Sequence, residues 1–365
     1  MGSNITTSAN ETLKGHRLVI LMPMEIPTVF LEPIQAKYPD LKIEAHRTEW
    51  GSKASPIPEE DWKDVTILLT FLPFPTPEQA PNLQYVQLIS AGANHILDVP
   101  LFKDTSIPFC TANGVHGPQI SEWIISTYLA FTHALPRFLD QQKEAHWDRG
   151  NLLTFEDAVS KTIGILGYGS IGRQTARVAS AMGMKVHAYT LHPRPTPASR
   201  HDNGWTPPGL GDPEGIYPAK WFSGSSTEDL HAFLSSGLDL LVIATPLTKN
   251  TKHLLSKAEF EVLASVGKGK TFVSNIARGP VIHTDDLIEA SEGGLIKGAA
   301  LDVTDPEPLE DGHRLWGTKN VIITPHVSGA SAAYAGRVLQ ILGVNLERFV
   351  LGEKLVNQVE RGRGY

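Results

Sequence analysis

Three polar residues of types that bind anions and exchange protons occur in the last third of the chain: Arg278, Glu307 and His326. Each follows a short apolar run that is typical of a buried strand. In an open α/β sheet the ligand crevice lies outside the carboxyl ends of the strands, so side chains from successive strands can converge there on one small substrate. Alternatively, Arg278 forms a surface ion pair, and Glu307, which stands between two prolines, is a turn residue.

A glycine-rich turn, Gly167-Tyr-Gly-Ser-Ile-Gly172, precedes these residues. The apolar run Thr162–Leu166 predicts a buried strand before the turn, and from Ile171 to Gly183 the apolar residues have helical spacing. Lys185–Thr190 predicts a second strand. Strand, glycine turn, helix and strand form the first half of a dinucleotide-binding unit, although the glycine motif by itself indicates only a tight turn.

Each glycine of this turn has a predicted task. Gly167 permits the tight turn, Gly169 lets the backbone approach a pyrophosphate, and Gly172 lets helix and strand pack closely. The N–H groups near Ser170 and Ile171 would then point at the anion.

The residues at the end of the second strand bear on the choice of dinucleotide. A site for NAD usually has Asp or Glu about 20 residues past the glycines, on the ribose hydroxyls. Here Thr190 occupies that position, and His192 or Arg194 could pair with a 2′-phosphate. We therefore expect NADPH to be preferred and NADH to be used as well.

The rest of the chain alternates between strand and helix patterns, which predicts an α/β protein. Further strands are predicted at 16–23, 41–45, 65–71, 85–89, 107–111, 238–244, 270–275, 297–302 and 320–324. Helices are predicted at 28–38, 119–134, 257–263, 284–292 and 328–350, with a second helical stretch between 136 and 147. The Pro- and Gly-rich stretch 192–224 is predicted to be a long loop, either a flap over the adenine end of the cofactor or a surface insertion.

Composition limits the classes of function. The chain has 365 residues, 41% of them apolar and 19% charged, and a net charge of −7, which argues against broad nucleic-acid binding. The single cysteine, Cys110, indicates a buried apolar residue and a reducing compartment, and we expect a cytoplasmic protein without a metal site. We expect no membrane contact, although residues 1–6 match a myristoylation pattern as well as they match a disordered tail.

Seven motifs in order along the chain resemble those of the D-isomer-specific 2-hydroxyacid dehydrogenases, nearest the glyoxylate/hydroxypyruvate reductase branch. They are Ser90-Ala-Gly-Ala-Asn94, Lys161-Thr-Ile-Gly with the glycine turn, Thr245-Pro-Leu-Thr-Lys-Asn-Thr251, Asn275-Ile-Ala-Arg-Gly279, Leu301-Asp-Val303, Pro325-His-Val-Ser-Gly329 and Gly352-Glu-Lys-Leu-Val-Asn-Gln-Val359. The order and separations of Arg278, Glu307 and His326 also resemble the catalytic set of that family.

The resemblance implies a role for each of these residues. His326 would be the general acid that gives a proton to the oxygen of a 2-oxo acid, and the base in the reverse direction. Glu307 would favour the charged imidazolium and fix the ring's orientation. Arg278 would hold the substrate carboxylate, and the backbone N–H groups of Gly92 and Ala93 would clamp the same group.

The resemblance also implies cofactor contacts beyond the glycine turn. Thr245, Pro246 and Thr251 would lie along the ribose and phosphates. Asp302 would hold the nicotinamide amide, aided by three residues, Ile276, Ala277 and Gly329. Alternatively, Asp302 is a buried cap at the end of a strand.

We therefore expect two Rossmann-like or flavodoxin-like domains, each a doubly wound parallel sheet, with a cleft between them. Residues 1–118 with 331–365 would bind the substrate, and 119–330 would bind the dinucleotide. The predicted activity is NAD(P)H-dependent reduction of a small 2-oxo acid, either glyoxylate, hydroxypyruvate or a branched acid, in a homodimer that pairs through the cofactor domains. Trp147 would pack at that interface or line the partner's pocket. The alternative function is a non-catalytic dinucleotide sensor of the corepressor kind.

Overall fold

The computed structural model describes residues 11–26, 28–267 and 269–361, so residues 1–6 with the myristoylation pattern lie outside it. The strands over these residues are β1 (Arg17–Met22), β2 (Lys42–Arg47), β3 (Ile67–Thr70), β4 (Tyr85–Leu88), β5 (Phe109–Cys110), β6 (Thr162–Leu166), β7 (Lys185–Thr190), β8 (Pro218–Ser223), β9 (Leu240–Ile243), β10 (Phe272–Asn275), β11 (Gly298–Leu301) and β12 (Val321–Ile323). The α-helices are α1 (Thr28–Lys37), α2 (Pro100–Lys103), α3 (Gly117–Thr132), α4 (Leu135–Lys143), α5 (Ser170–Ala181), α6 (Pro197–Arg200), α7 (Thr227–Leu234), α8 (Lys257–Ser265), α9 (Thr284–Glu292) and α10 (Tyr334–Leu351).

The elements belong to two compact units. Unit 1 comprises Met1–Val115, Asn203–Pro207 and Ser331–Tyr365, and unit 2 comprises His116–Asp202 and Pro208–Ala330. The assignment of Asn203–Pro207 differs from the predicted division of the chain, because the side chain of Trp205 packs with the hydrophobic core of unit 1.

Unit 1 contains a five-stranded parallel sheet in the order β2-β1-β3-β4-β5. Along β1, Leu18 and Ile20 point to the core that α1 and α10 cover, whereas Val19 and Leu21 point to a second core on the opposite face. This alternation follows from the two-residue period of a strand. Each fully buried aliphatic side chain contributes about 1.5–3 kcal/mol, so both faces stabilise the sheet. The strand order is that of a flavodoxin-like fold.

Unit 2 contains a seven-stranded parallel sheet in the order β12-β11-β10-β9-β6-β7-β8. The chain adds β7 and β8 on one side of β6 and the remaining strands on the other, so the strand order reverses at β6 and β9. This is the order of the Rossmann fold, in which ligands bind beyond the carboxyl ends of the strands at the reversal. The prediction of doubly wound parallel sheets, Rossmann-like and flavodoxin-like, is confirmed.

The stretch 192–224 is more ordered than the predicted long loop. Its last residues form β8, which pairs with β7, and α6 begins with a capping box at Thr196. β8 is an edge strand, and a proline such as Pro218 is tolerated there because the outer side of the strand makes no ladder hydrogen bonds. A capping box at Ser226 likewise begins α7, which was not predicted.

Among the described residues, no group of three or more His, Cys, Asp or Glu side chains is arranged to hold a metal ion. No described helix has the length and apolar character needed to cross a bilayer.

Candidate functional site

Three neighbouring strands of unit 2, β10, β11 and β12, end side by side. The predicted residues Arg278, Glu307 and His326 come after these strand ends. Asn275 of β10, Leu301 of β11 and Ile323 of β12 pair in register. Arg278 and His326 each lie three residues beyond this common level. Since adjacent strands lie about 4.8 Å apart, these two segments leave the sheet about 10 Å from each other.

The structure brings Glu307 and His326 together. Glu307 Oε1 accepts a hydrogen bond from His326 Nδ1 at 2.7 Å, and the two side chains are 39% and 49% exposed. Together with Leu309 and Trp316 they line a cavity of about 250 Å³ within unit 2. Because Nδ1 is occupied by the carboxylate, the ring's Nε2 is the atom that can exchange a proton with a ligand.

The backbone of His326 is held in an uncommon conformation. Its φ is 54°, in the left-handed region that residues other than glycine rarely enter. Its N–H donates to the carbonyl of Asp302 at 2.8 Å and to that of Thr324 at 3.0 Å. Residues in such conformations persist only where the surroundings fix them, and they occur frequently at functional sites.

Asp302 supplies most of those surroundings. Its side chain is 2% exposed, and Oδ1 accepts from the Thr324 hydroxyl at 2.6 Å and from the Val327 N–H at 2.8 Å. Oδ2 accepts from the Ser328 N–H at 3.0 Å and from the Ser328 hydroxyl. A carboxylate has about four acceptor positions, and all are used here. These contacts match the alternative of a buried cap at a strand end.

Arg278 is positioned by the turn that follows β10. Asn275 Nδ2 donates to the Arg278 carbonyl at 3.1 Å, and Asn275 Oδ1 accepts from the Ala277 N–H at 3.1 Å. A Cβ on Gly279 would lie 1.8 Å from the Thr304 carbonyl oxygen, so only glycine allows the turn to pack there. The Arg278 side chain is exposed. The sequence analysis did not single out Asn275, although a buried amide at a strand end is a signal for such a role.

The glycine turn has the geometry that its predicted tasks require. Gly167 has φ 103°, and a Cβ there would lie 2.8 Å from the Ala244 carbonyl. A Cβ on Gly172 would lie 2.6 Å from the Gly167 carbonyl oxygen, whereas one on Gly169 would meet nothing within 4 Å. The turn is therefore closely packed inside and open where α5 begins with Ser170 and Ile171. A helix start of this kind suits a pyrophosphate.

The segment after β9 lies against this turn. The Thr245 N would be 2.9 Å from a Cβ on Gly167. Thr251 Oγ1 donates to the Pro246 carbonyl at 2.7 Å and accepts from the Thr248 N–H at 2.7 Å. The Thr251 hydroxyl thus stabilises the turn formed by 246–251.

The residues predicted near the nicotinamide are in part buried. Ile276 and Ala277 are each 7% exposed. Gly329 lies against His116, since a Cβ on the glycine would be 3.2 Å from His116 Nδ1, and its carbonyl accepts from Gln119 Nε2 at 3.1 Å.

The polar side chains at and after the end of β7 make local hydrogen bonds. The Thr190 hydroxyl donates to the His192 carbonyl at 2.8 Å. Arg194 Nη1 donates to the Ser199 carbonyl at 2.5 Å, because α6 presents its last carbonyls there. One nitrogen of the guanidinium is therefore engaged within 192–224. The exposed His192 is the basic residue nearer to Thr190 in sequence.

A carboxylate that the sequence analysis did not consider also lies beside this strand. The Gly224 N–H donates to the Thr190 carbonyl at 3.2 Å, and a Cβ on Gly224 would be 2.0 Å from Asp229 Oδ2. That carboxylate accepts from the Ser226 N–H at 3.3 Å as part of a capping box, and it also accepts from the Ser226 hydroxyl at 2.9 Å. The pattern Ser-x-x-Asp was the available signal.

Gly92 and Ala93 lie in unit 1, in the turn that follows β4. The Ser90 hydroxyl donates to the Gly92 carbonyl at 2.8 Å, and the Ile96 N–H donates to the Ala93 carbonyl at 3.1 Å. Gly92 is exposed and a Cβ there would meet nothing within 4 Å, whereas Ala93 is buried. The turn therefore presents backbone at the carboxyl edge of its sheet.

Comparison with known proteins agrees with this geometry. The sequence model of the D-isomer-specific 2-hydroxyacid dehydrogenase NAD-binding domain matches residues 125–208 and 219–328. The chain is 30% identical to a glyoxylate reductase of Thermofilum pendens over 279 residues, 76% of this chain and 74% of the relative. It is 29% identical to a hydroxypyruvate reductase of Blautia hydrogenotrophica over 78% of this chain and 80% of the relative.

A solved structure gives the same result. A D-isomer-specific 2-hydroxyacid dehydrogenase from Xanthobacter autotrophicus, in complex with NADPH and MES, is 28% identical, with a TM-score of 0.68 over 96% of this chain and 99% of that one. The resemblance to the glyoxylate/hydroxypyruvate reductase branch and the prediction of an NAD(P)-dependent oxidoreductase are thus confirmed. The chain belongs to the family of D-isomer-specific 2-hydroxyacid dehydrogenases.

Proposed function

We propose that the protein reduces small 2-oxo acids to 2-hydroxy acids, with His326 as the proton donor and NADPH as the preferred cofactor. The observation that carries this proposal is the 2.7 Å hydrogen bond between Glu307 and His326. Both residues come after the carboxyl ends of neighbouring strands, as Arg278 does.

His326 transfers the proton. With Nδ1 donating to Glu307, Nε2 carries the proton that the carbonyl oxygen of the substrate receives, and it takes the proton back in the reverse direction. The carboxylate stabilises the imidazolium form and fixes the ring plane.

Arg278 binds and polarises the substrate. Its planar guanidinium can hold the substrate carboxylate through two parallel hydrogen bonds, which also fixes the keto group relative to His326. Asn275, which holds the Arg278 carbonyl, keeps the start of this side chain in place.

The N–H groups of Gly92 and Ala93 form a second clamp for the same carboxylate. Among the described residues neither N–H donates a backbone hydrogen bond, and the space beside Gly92 is open. Backbone N–H groups in such a turn form a concave site for an anion. We propose that 1–118 with 331–365 form the substrate-binding domain and that 119–330 form the dinucleotide-binding domain.

The glycine turn at Gly167, Gly169 and Gly172 holds the pyrophosphate, because the first and third glycines allow the turn to pack against its own backbone and the space beside Gly169 stays open. The bound dinucleotide supplies the hydride that C2 of the substrate receives. NADPH is favoured by the Thr190 position, which lacks a carboxylate, and by the NADPH found in the Xanthobacter autotrophicus relative. The contact of Arg194 with Ser199 and the proximity of Asp229 weaken that preference, so NADH is used as well.

A homodimer that pairs through the dinucleotide domains is supported by an exposed apolar patch on α4 and the residues after it. Leu139 is 48% exposed, Trp147 86% and Leu153 93%, and a cavity of about 580 Å³ lies beside Trp147. Large exposed apolar patches mark interaction surfaces. A dimeric mass by light scattering, lost in Trp147→Glu, is expected, and a monomeric wild-type protein would contradict the dimer.

We place the protein in the cytoplasm, where thiols stay reduced. Cys110 is buried, and burial raises the pKa of its thiol to about 12, so it is an apolar core residue without thiolate chemistry.

The test is a steady-state comparison of glyoxylate, hydroxypyruvate and branched 2-oxo acids, each with NADPH and with NADH. We expect turnover of at least one acid, with the higher kcat/KM for NADPH. A marked preference for NADH would refute the interpretation of Thr190. Tight cofactor binding without turnover of any acid would refute the reductase and favour a dinucleotide sensor.

A further inference from the structure

Asp212 is a buried carboxylate in a segment that the family's sequence model does not match. The matched residues stop at 208 and resume at 219. Asp212 is nevertheless 2% exposed, although aspartate is almost never so buried unless it is paired. A segment outside the matched ranges therefore contributes a fully buried carboxylate to unit 2.

The contacts of Asp212 lead to the glycine turn. Oδ2 accepts from the Tyr168 hydroxyl at 2.6 Å, and Tyr168 is the residue between Gly167 and Gly169. Within its own segment, Oδ1 accepts from the Ile216 N–H at 2.9 Å. The Asp212 carboxylate thus connects the segment 209–218 to Tyr168 in the middle of the glycine turn.

Arg173 makes a second connection from the other side of the turn. It directly follows Gly172, is 3% exposed, and donates from Nη1 to the Asp212 carbonyl at 2.5 Å. Its Nη2 donates to the Arg200 carbonyl at 2.7 Å, and Asp202 Oδ2 lies 3.3 Å from its Nε. One buried guanidinium is therefore surrounded by acceptors from 200–212.

The Tyr168 ring completes the cluster. The Arg173 guanidinium lies 5.1 Å from the ring centroid, a cation–π distance. Burial and then the hydrogen bond to Asp212 raise the pKa of Tyr168 well above its usual value, so the hydroxyl remains a donor at neutral pH.

We propose that Asp212 is a positioning residue of the dinucleotide site, which fixes the glycine turn through Tyr168 and Arg173. This inference rests on the proposed binding of NADPH or NADH at that turn. If the turn is already held in its binding conformation, the dinucleotide spends less binding free energy on ordering it. If only a fraction of the molecules has that conformation, the apparent Kd rises by the inverse of that fraction.

The test compares Tyr168→Phe and Asp212→Ala with the wild-type enzyme. Tyr168→Phe removes one hydroxyl and keeps the ring. We expect the Kd of NADPH, measured by fluorescence titration without substrate, to rise about three- to tenfold, the range of one lost hydrogen bond. The KM for NADPH rises in parallel, whereas kcat and the KM for the 2-oxo acid at saturating NADPH stay unchanged. Amide hydrogen exchange over 167–173 becomes faster.

Glu214→Ala is the matched control, because Glu214 belongs to the same segment but forms an exposed pair with His201 at 3.2 Å. It should bind NADPH as the wild type does. Equal weakening in this control, or an unchanged Kd in Tyr168→Phe, would overturn the inference, even if Asp212→Ala fails to fold. If the wild-type protein binds neither dinucleotide, the proposed function itself fails, which is a different result from a wild type and variants that bind equally well.

Discussion

Two carboxylates approach the short segment that carries His326, and they differ in nearly every physical respect. Glu307 is 39% exposed and makes its contact with the imidazole. Asp302 is 2% exposed and uses both oxygens on the segment 324–328. An exposed carboxylate can follow changes in the charge of its partner, whereas a buried one with four hydrogen bonds fixes a backbone. We therefore propose that Glu307 and His326 carry out the proton transfer and that Asp302 fixes the backbone of the segment that holds His326.

The largest effect on activity is expected from His326→Ala. Loss of the proton donor should lower kcat about 10²- to 10⁴-fold, the usual contribution of general acid–base catalysis, and leave NADPH affinity unchanged. Steady-state kinetics and a binding titration measure the two quantities. His133→Ala, at an exposed histidine after α3, is the control and should retain full activity. A variant at position 326 that keeps wild-type kcat would end the assignment.

Asp302→Asn should chiefly lower stability. In the variant, an Asn NH2 group would face the Ser328 N–H and hydroxyl, which now donate to one carboxylate oxygen. Because those donors would lose their acceptor, the free energy of unfolding should fall by about 1–3 kcal/mol. Thermal unfolding would show this as a Tm lowered by several degrees. An unchanged Tm would show that the buried carboxylate is not the support that its contacts suggest.

Glu307→Gln reverses this pattern. The amide oxygen can still accept from Nδ1 but carries no charge, so kcat should fall on the order of tenfold, a part of the general acid–base contribution. Because the side chain is exposed, Tm should remain within about 1 °C of the wild-type value. A loss of Tm as large as that of Asp302→Asn would erase the distinction between the two carboxylates.

Ser328→Ala is expected to have the smallest effect. It removes the hydroxyl that donates to Asp302 Oδ2 but keeps the backbone N–H bond to the same atom. The free energy of unfolding should fall by about 0.5–1.5 kcal/mol, measured by urea denaturation. A loss exceeding that of Asp302→Asn would contradict the view that the carboxylate organises this segment.

Local signals allowed parts of the fold to be predicted closely. The bounds of β6, β7 and α9 coincide with those predicted, and each element is followed within three residues by a glycine or a proline that ends its pattern. The last helix was predicted from 328, but α10 begins at Tyr334. The N–H groups of Val327 and Ser328 donate to Asp302 instead, a contact that the helical pattern of the segment does not reveal.

In the candidate site, too, some residues could be predicted from the sequence and others could not. Arg278, Glu307 and His326 could be selected from residue type and position after strands, and the contact of the last two is present. Arg194 could not be placed, because its acceptor belongs to α6, a four-residue helix in a stretch without a clear pattern. Asp229 was overlooked because Gly224 brings it near Thr190 only after β8 has paired with β7.

The sequence by itself determined the family, the α/β architecture and the glycine turn, because these depend on residue types at fixed short separations. Only the tertiary structure decided that Asp302 is saturated by its neighbours, that Arg194 turns toward Ser199, and that Asp212 is buried against Tyr168. These outcomes depend on which hydrogen-bond partners other segments bring within about 3 Å, and such proximity between residues distant in the chain is created only when the sheet and its crossovers have formed.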